Sequence, residues 1–368
     1  MSTASVPLPN WINYALLPLI NLTLAFLVSG LVVWIIGENP WEALKLMLEG
    51  ALGSGEGIGF TLFYATNFIF TGLSVAVAYH AGLFNIGSEG QAYLGGLGAA
   101  LAALALDHYV PWYVTMPFAI MAAALFGAAW AFIPAWLQAK RGSHIVITTI
   151  MFNFIGAALM VYLLVNVLIV PGKMAPETRT FLEGGQLPKL DWLISMFGGT
   201  LGPAPFNVSF LIALVMCVLV WILIWRTKLG FEMRTLGISR SAAAYAGIPY
   251  VKIVMITMLI SGGLAGMMAL NPVLGASARL QVEFVAGAGF VGIAVSLMGR
   301  NHPLGIVLAA ILFGILYQGG AWQSPSTMPN ISREMIVVIQ GLVILFAGAL
   351  EFMCRPMIVR IYQTMTKA

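Results

Sequence analysis

The chain has 368 residues, of which 60% are hydrophobic and only 8% charged, and its mean hydropathy is +0.95. An ordinary soluble domain is about 25% charged, so this composition excludes a water-covered globule, and lipid must be the solvent for most of the chain. The net charge of +4 is spread over short loops instead of gathered on a polar stretch, which excludes a nucleic-acid partner.

Apolar runs bounded by charge, Pro or Gly predict spans over 14–36, 57–79, 85–106, 112–138, 144–170, 206–226, 251–270, 284–299, 303–320 and 334–353. All should be helices, because a bilayer offers no water to backbone groups and the alternating strands of a barrel are absent. The expected fold is an all-α polytopic membrane protein of about ten transmembrane helices. The first 13 residues contain no Lys or Arg, so the first run reads as a retained helix and not as a secretory signal. After it, residues 39–51, opened by Pro40, predict an amphipathic helix on the outer interface.

The Gly82–Gly96 stretch is the most informative. It sets Glu89, Asn85, Gln91 and five glycines at the edge of apolar spans. Glycine lets the backbone leave a helix, and inside a membrane such a break is tolerated only within protein or beside a water-filled path. Phe84, Asn85, Glu89 and Gln91 are therefore candidates to line a solute pathway. The alternative is an ordinary turn in which Glu89 is solvated or caps the next helix. Further on, Thr149 and Asn153 stand at i and i+4 on one helical face, either bonding a neighbouring helix or facing the same pathway. Asn67 is a third candidate.

An external loop is expected over 171–205, with a short helix at 189–197. An internal loop is expected over 227–250, ending in a short helix stopped at Gly247-Ile-Pro249. With the N-terminus inside, 11 of the 17 Lys and Arg fall on the cytoplasmic side and 10 of the 13 acids on the other. Both termini are then cytoplasmic. The whole, residues 1–368, reads as one transmembrane domain. Four spans stand on either side of a middle region, a layout shared with repeat-built transporters.

Several motifs carry no chemistry. Gly287–Gly292 matches GxGxxG, but no strand precedes it and no acid follows at the required distance, so small-residue packing is expected, as for Gly262 and Gly266. Asn207-Val-Ser209 and Asn330-Ile-Ser332 match a glycosylation pattern common by chance and are set aside. Cys217 and Cys354 match no metal or redox spacing, and no His has a partner at ligand spacing, so neither metal nor cofactor is expected. No Walker site, HExxH or GxSxG is present, so the chain has no ATPase site of its own and is not expected to be an enzyme.

The core GLFNIGSEGQ within Gly82–Gly96 resembles the signature of ABC-importer permeases of the nucleoside and simple-sugar branch, within the branched-chain amino acid and ribose permease superfamily. Arg141–Gly156, Gly230–Ile248 and Phe290–Gly305 are similar to further segments of that family, and the long N-terminal part resembles the longer subunit of a permease pair. The resemblance implies a type II importer fold in a bacterial cytoplasmic membrane. It implies an ATP-binding cassette ATPase, a second permease subunit and an external substrate-binding (lipo)protein as partners, alongside membrane lipid. It also implies that the internal loop, through Arg234, Gly237, Arg240, Ser241, Ala243 and Gly247 and a helix of about 240–247, docks into the ATPase.

Apart from Glu89, the only charges within the predicted spans, Arg226, Lys252, Glu334 and Glu351, lie within three residues of a span end. A neutral, polar, ring-bearing solute such as a nucleoside fits such an interior. A simple sugar or riboflavin is the alternative within the importer class. A secondary transporter acting alone would need intramembrane coupling-ion sites, and a membrane enzyme or scaffold is a third class.

Overall fold

The computed structural model describes residues 17–196 and 199–322, together with Val338 and Gly341. The expected span 334–353 and Cys354 lie outside these stretches. The described residues are helical apart from loops and two isolated bridges, Glu177 with Gln281 and Lys189 with Asn207. Two compact units are present, one comprising Met1–Gly53 and Ile315–Ala368, the other Ser54–Gly314.

The first unit contains α1 (Leu17–Ile35) and α2 (Pro40–Leu52). Helix α2 starts where the sequence signals it. Asn39 caps it by accepting from Trp41 N at 3.0 Å, and Pro40 occupies its first turn, where no intrahelical N–H is needed. Its exposed Trp41, Leu48 and Leu52 form an apolar side. Leu316 packs on Phe26 and Met47.

The second unit contains α3 (Gly55–His80), α4 (Ser88–Leu106), α5 (Trp112–Arg141), α6 (Ile145–Asn166), α7 (Asp191–Ser195), α8 (Ser209–Arg226), α9 (Lys228–Ile238), α10 (Arg240–Tyr245), α11 (Tyr250–Met267), α12 (Ala288–Met298) and the start of α13 (Pro303–Trp322). In the most apolar 18-residue stretch of α3, and of α11 with the turn that follows it, 78% is buried, whereas in the apolar stretches of α5, α6 and α8 only 22–28% is buried. A helix apolar all round is stable only inside protein or lipid. The outer helices turn Phe154, Leu125, Val215 and Val218 outward, and lipid is the environment that accepts such a surface.

Among the described residues, six helices are long and apolar enough to cross a membrane. Three expectations shift. Helix α4 begins at Ser88, because residues 82–87 leave the helix. The run 284–299 yields only the 11-residue α12, preceded by a non-helical lead-in from 277 to 287. The run 251–270 extends further, as α11 continues into a π-helical turn, Leu270–Ala276, around Pro272. Proline removes a backbone donor and crowds the preceding turn, and widening to π geometry accommodates it.

Glycines set the centre of this unit. A Cβ on Gly95 or Gly127 would collide with the backbone of Gly266, and one on Gly262 with Gly127. The glycine pair of α11 therefore lets α4, α5 and α11 approach to backbone contact, as expected of a small-residue seam. The loop 171–205 is packed as well. Leu190, Ile194, Leu201, Ala204 and Phe206 form a buried cluster beside the start of α3, and the helix expected at 189–197 is the shorter α7.

Candidate functional site

The Gly82–Gly87 break is held open by its own polar side chains. Asn85 and Gln91 form a reciprocal amide pair, Asn85 Nδ2 to Gln91 Oε1 at 2.8 Å and Gln91 Nε2 to Asn85 Oδ1 at 3.1 Å. Asn85 Nδ2 also donates to Ser261 Oγ on α11 at 2.8 Å, and Asn85 Oδ1 accepts from Gly87 N at 2.9 Å. Ser74 of α3 joins through hydroxyl contacts of 3.1 Å to both Ser88 and Ser261. Four elements thus meet in one buried knot. A polar group buried without a partner costs about 1–3 kcal/mol, and this knot supplies partners to a segment that has left its helix.

Asn153 holds the same break from α6. Its Nδ2 donates to Ile86 O at 2.9 Å and its Oδ1 accepts from Gly90 N at 2.8 Å. Thr149 lies on the same buried face, as its i to i+4 spacing predicts, but its hydroxyl bonds Ile145 O within its own helix at 2.8 Å.

Glu89 does cap a helix, but not its own. Its Oε1 accepts from Gly287 N at 2.9 Å and its Oε2 from Gly289 N at 2.8 Å. These are the first amides of α12, so the carboxylate sits on the positive end of that helix dipole. Gly287 is in the left-handed region at φ +78, and a Cβ on Gly289 would strike the Glu89 backbone. Of the glycines read as packing residues, Gly289 and Gly292 do pack, while Gly287 and Gly289 form the carboxylate cradle.

A second buried knot centres on a residue the sequence reading missed. Asn271, in the π turn, donates to Phe63 O and to Asn67 Oδ1, each at 2.8 Å. It accepts from Asn207 Nδ2 at 2.8 Å and from Ser209 Oγ at 2.9 Å. Asn67, Asn207 and Asn271 thus tie α3, the start of α8 and the π turn together. The available signal was an Asn-Pro pair inside an apolar run, which marks a backbone break.

The candidates therefore fall into two groups and an outlier. Asn85, Gln91, Glu89 and Asn153 surround one break, Asn67 belongs to the Asn271 knot, and Phe84 is half-buried beside the first group.

The internal loop holds two helices, where one of about 240–247 was expected. Ser239 breaks them and caps α10 by accepting from Ala242 N at 3.3 Å, and α10 stops at Tyr245 before a turn through Gly247 at φ +74. Arg240 is exposed and stacks over Tyr250, with its Cζ 3.9 Å from the ring centroid. Ser241 and Gly247 are exposed, whereas Ala243 is only 1% exposed and faces inward. Small size at 243 serves internal packing. Arg234 is partly buried on α9, and Gly237 lies against the backbone of His80 and Gly82.

Lipid-facing helices around broken, hydrogen-bonded segments define a multi-pass membrane protein with two polar knots buried in its interior. Residues 57–348 match the family described as branched-chain amino acid transport system / permease component. The guanosine ABC transporter permease protein of Bacillus subtilis is 33% identical over 341 residues, covering 92% of this chain and 94% of that protein. The nucleoside ABC transporter permease protein of Lactococcus lactis is 32% identical over 351 residues, 93% of each chain. The glucose ABC transporter permease protein of Haloferax volcanii is 31% identical over 349 residues, 94% and 90%. The chain belongs to this family of transport-system permease components.

Proposed function

We propose that the chain is the permease subunit of an ATP-driven importer of nucleosides. The observation that carries this reading is the similarity to guanosine and nucleoside permeases over more than nine-tenths of both partners. The interior supports a neutral solute. The buried Glu89 is engaged by two backbone amides, and the remaining polar groups of the two knots are amides, hydroxyls and peptide groups. A simple sugar is the second reading, favoured by the similarity to the glucose permease.

On this proposal the solute path runs beside Gly82–Gln91. Phe84 offers a ring for stacking, while Asn85, Glu89, Gln91, Asn153 and Asn67 hold the wall. Residues 1–368 form a single permease domain of about ten transmembrane helices with a type II importer fold. It lies in a bacterial cytoplasmic membrane with both termini inside. The loop 227–250 meets a separate ATPase, with Arg234, Gly237, Arg240, Ser241 and Gly247 near the contact and Ala243 supporting it from within. A second permease subunit completes the path, and an external binding protein delivers solute. No cofactor is needed by this subunit.

Purification of the tagged chain from its own membranes tests the assembly. Recovery of an ATPase and a second, shorter permease is expected. Recovery of the chain alone, under conditions that keep a known importer together, would contradict the proposal.

A further inference from the structure

Helix α12 is gripped at both ends by one short stretch of chain. At its N-terminus Glu89 accepts from Gly287 N and Gly289 N. At its C-terminus His80 Nε2 donates to Asn301 O at 3.1 Å, and Asn301 is bound back onto α12 by its N–H to Ser296 O and by Ser296 Oγ to its Oδ1, both at 2.8 Å. Arg300 and Asn301 are both left-handed, at φ 53 and 56, so the turn that presents this carbonyl is itself conformationally restricted. Between its ends α12 has backbone-close contact with α3, because a Cβ on Gly292 would strike Thr71 and one on Gly72 would crowd Val295. An 11-residue helix is only about 16 Å long, so this grip spans its whole length.

The same stretch touches the internal loop. A Cβ on Gly237 of α9 would collide with His80 O and Gly82 N, and one on Gly82, at φ +69, would crowd Gly237. The turn between His80 and Glu89 is thus in backbone contact with the loop on one side and holds α12 on the other.

We propose that His80 and Glu89 are a pair of positioning residues that make α12 and the α3–α4 turn one rigid body, so that movement imposed on the loop at Gly237 is delivered to α12. This rests on the proposed importer reading. Neither residue needs to touch solute. Both grips join the same two bodies, and a rod held at one end can still tilt about it, so releasing either end is enough to break the rigid body.

The test uses the full complex in proteoliposomes, comparing nucleoside taken up per ATP hydrolysed for wild type, Glu89→Gln, His80→Ala, His80→Gln and the Glu89→Gln/His80→Ala double variant. Each measurement is normalised to assembled complex. Gln at 89 loses one of the two acceptors, and Gln at 80 retains an N–H donor. The expected result is a tenfold or greater fall in uptake per ATP for either single variant with hydrolysis maintained, partial rescue by His80→Gln, and a double variant no worse than the singles. Uptake and hydrolysis falling in equal proportion, or losses that multiply in the double variant, would overturn the inference. Wild-type complex without ATP-dependent uptake would instead overturn the importer reading.

If the variants do not assemble, spin labels at Tyr79→Cys and Leu297→Cys, with Cys217 and Cys354 replaced, decide the question. Both positions are exposed. An unchanged distance between nucleotide-free and nucleotide-trapped states is expected, and a changed one overturns the rigid body.

Discussion

Arg179 and Asp107 meet in a two-pronged ion pair, Nη1 to Oδ2 at 2.7 Å and Nη2 to Oδ1 at 2.8 Å, that ties the 171–205 loop to the end of α4. Leu182 N adds a third bond to the same carboxylate at 2.9 Å, and Arg179 Nη2 also donates to Leu104 O at 3.1 Å. The Asp107 side chain is fully buried, whereas 43% of the Arg179 side chain is exposed. Breaking a fully buried pair costs about 3–5 kcal/mol, but water screens the exposed arginine. Arg179→Ala is therefore expected to cost about 1–3 kcal/mol, measured by unfolding in mixed detergent micelles. An unchanged midpoint would show that the loop is held elsewhere.

The same pair gives a pH dependence. Burial alone would push the Asp107 carboxyl up, but the Arg179 guanidinium and the Leu182 amide outweigh it and hold the carboxyl below the ordinary value of 3.8. A depressed acid favours the folded state at all pH above its unfolded value, and this stabilisation is lost as pH falls through the folded value. Acid unfolding attributable to Asp107 should thus begin only below about pH 4. In Arg179→Ala, where burial is no longer outweighed by the guanidinium, the transition should move to higher pH. An acid titration of both proteins checks this.

Asn271 makes four side-chain hydrogen bonds and Asn67 takes part in one of them. Interhelical hydrogen bonds in membrane proteins are worth about 0.6–1.7 kcal/mol each. Asn271→Leu should accordingly cost about 2–4 kcal/mol and Asn67→Leu about 1 kcal/mol. Equal costs would mean that the knot is not organised around Asn271.

The two cradle glycines should differ in kind. An added Cβ at Gly287 meets open space, so Gly287→Ala carries only left-handed backbone strain of about 1–2 kcal/mol. At Gly289 the Cβ meets the backbone of Glu89, which cannot move without displacing α4. Gly289→Ala should therefore be the more damaging substitution, read by the yield and thermal stability of purified protein. The reverse order would contradict the close approach of α12 to α4.

The Gly82–Gly96 break was legible because glycines and amides are conspicuous at the edge of apolar runs. Asn153 was legible because an amide within an apolar helix must bond something. What the sequence could not reveal was the partner. Glu89 is bound by residues about 200 positions away, and no local pattern specifies such a contact. The 284–299 run looked like a full span because hydropathy registers apolar side chains and not where the backbone leaves the helix. Asn207 was set aside as a chance glycosylation match, although its side chain bonds the buried Asn271. Ala243 resembled a docking residue by its size, and burial gives that size a different reason.

On the proposed function, solute crosses this subunit at the expense of ATP hydrolysed by a partner. The most direct measurement is uptake of labelled guanosine by proteoliposomes holding the purified complex and its binding protein. Uptake is predicted to require ATP inside the ATPase-facing compartment, to vanish with a catalytically dead ATPase, and to survive collapse of ion gradients. Uptake by this chain alone, driven by an ion gradient and indifferent to ATP, would contradict the account.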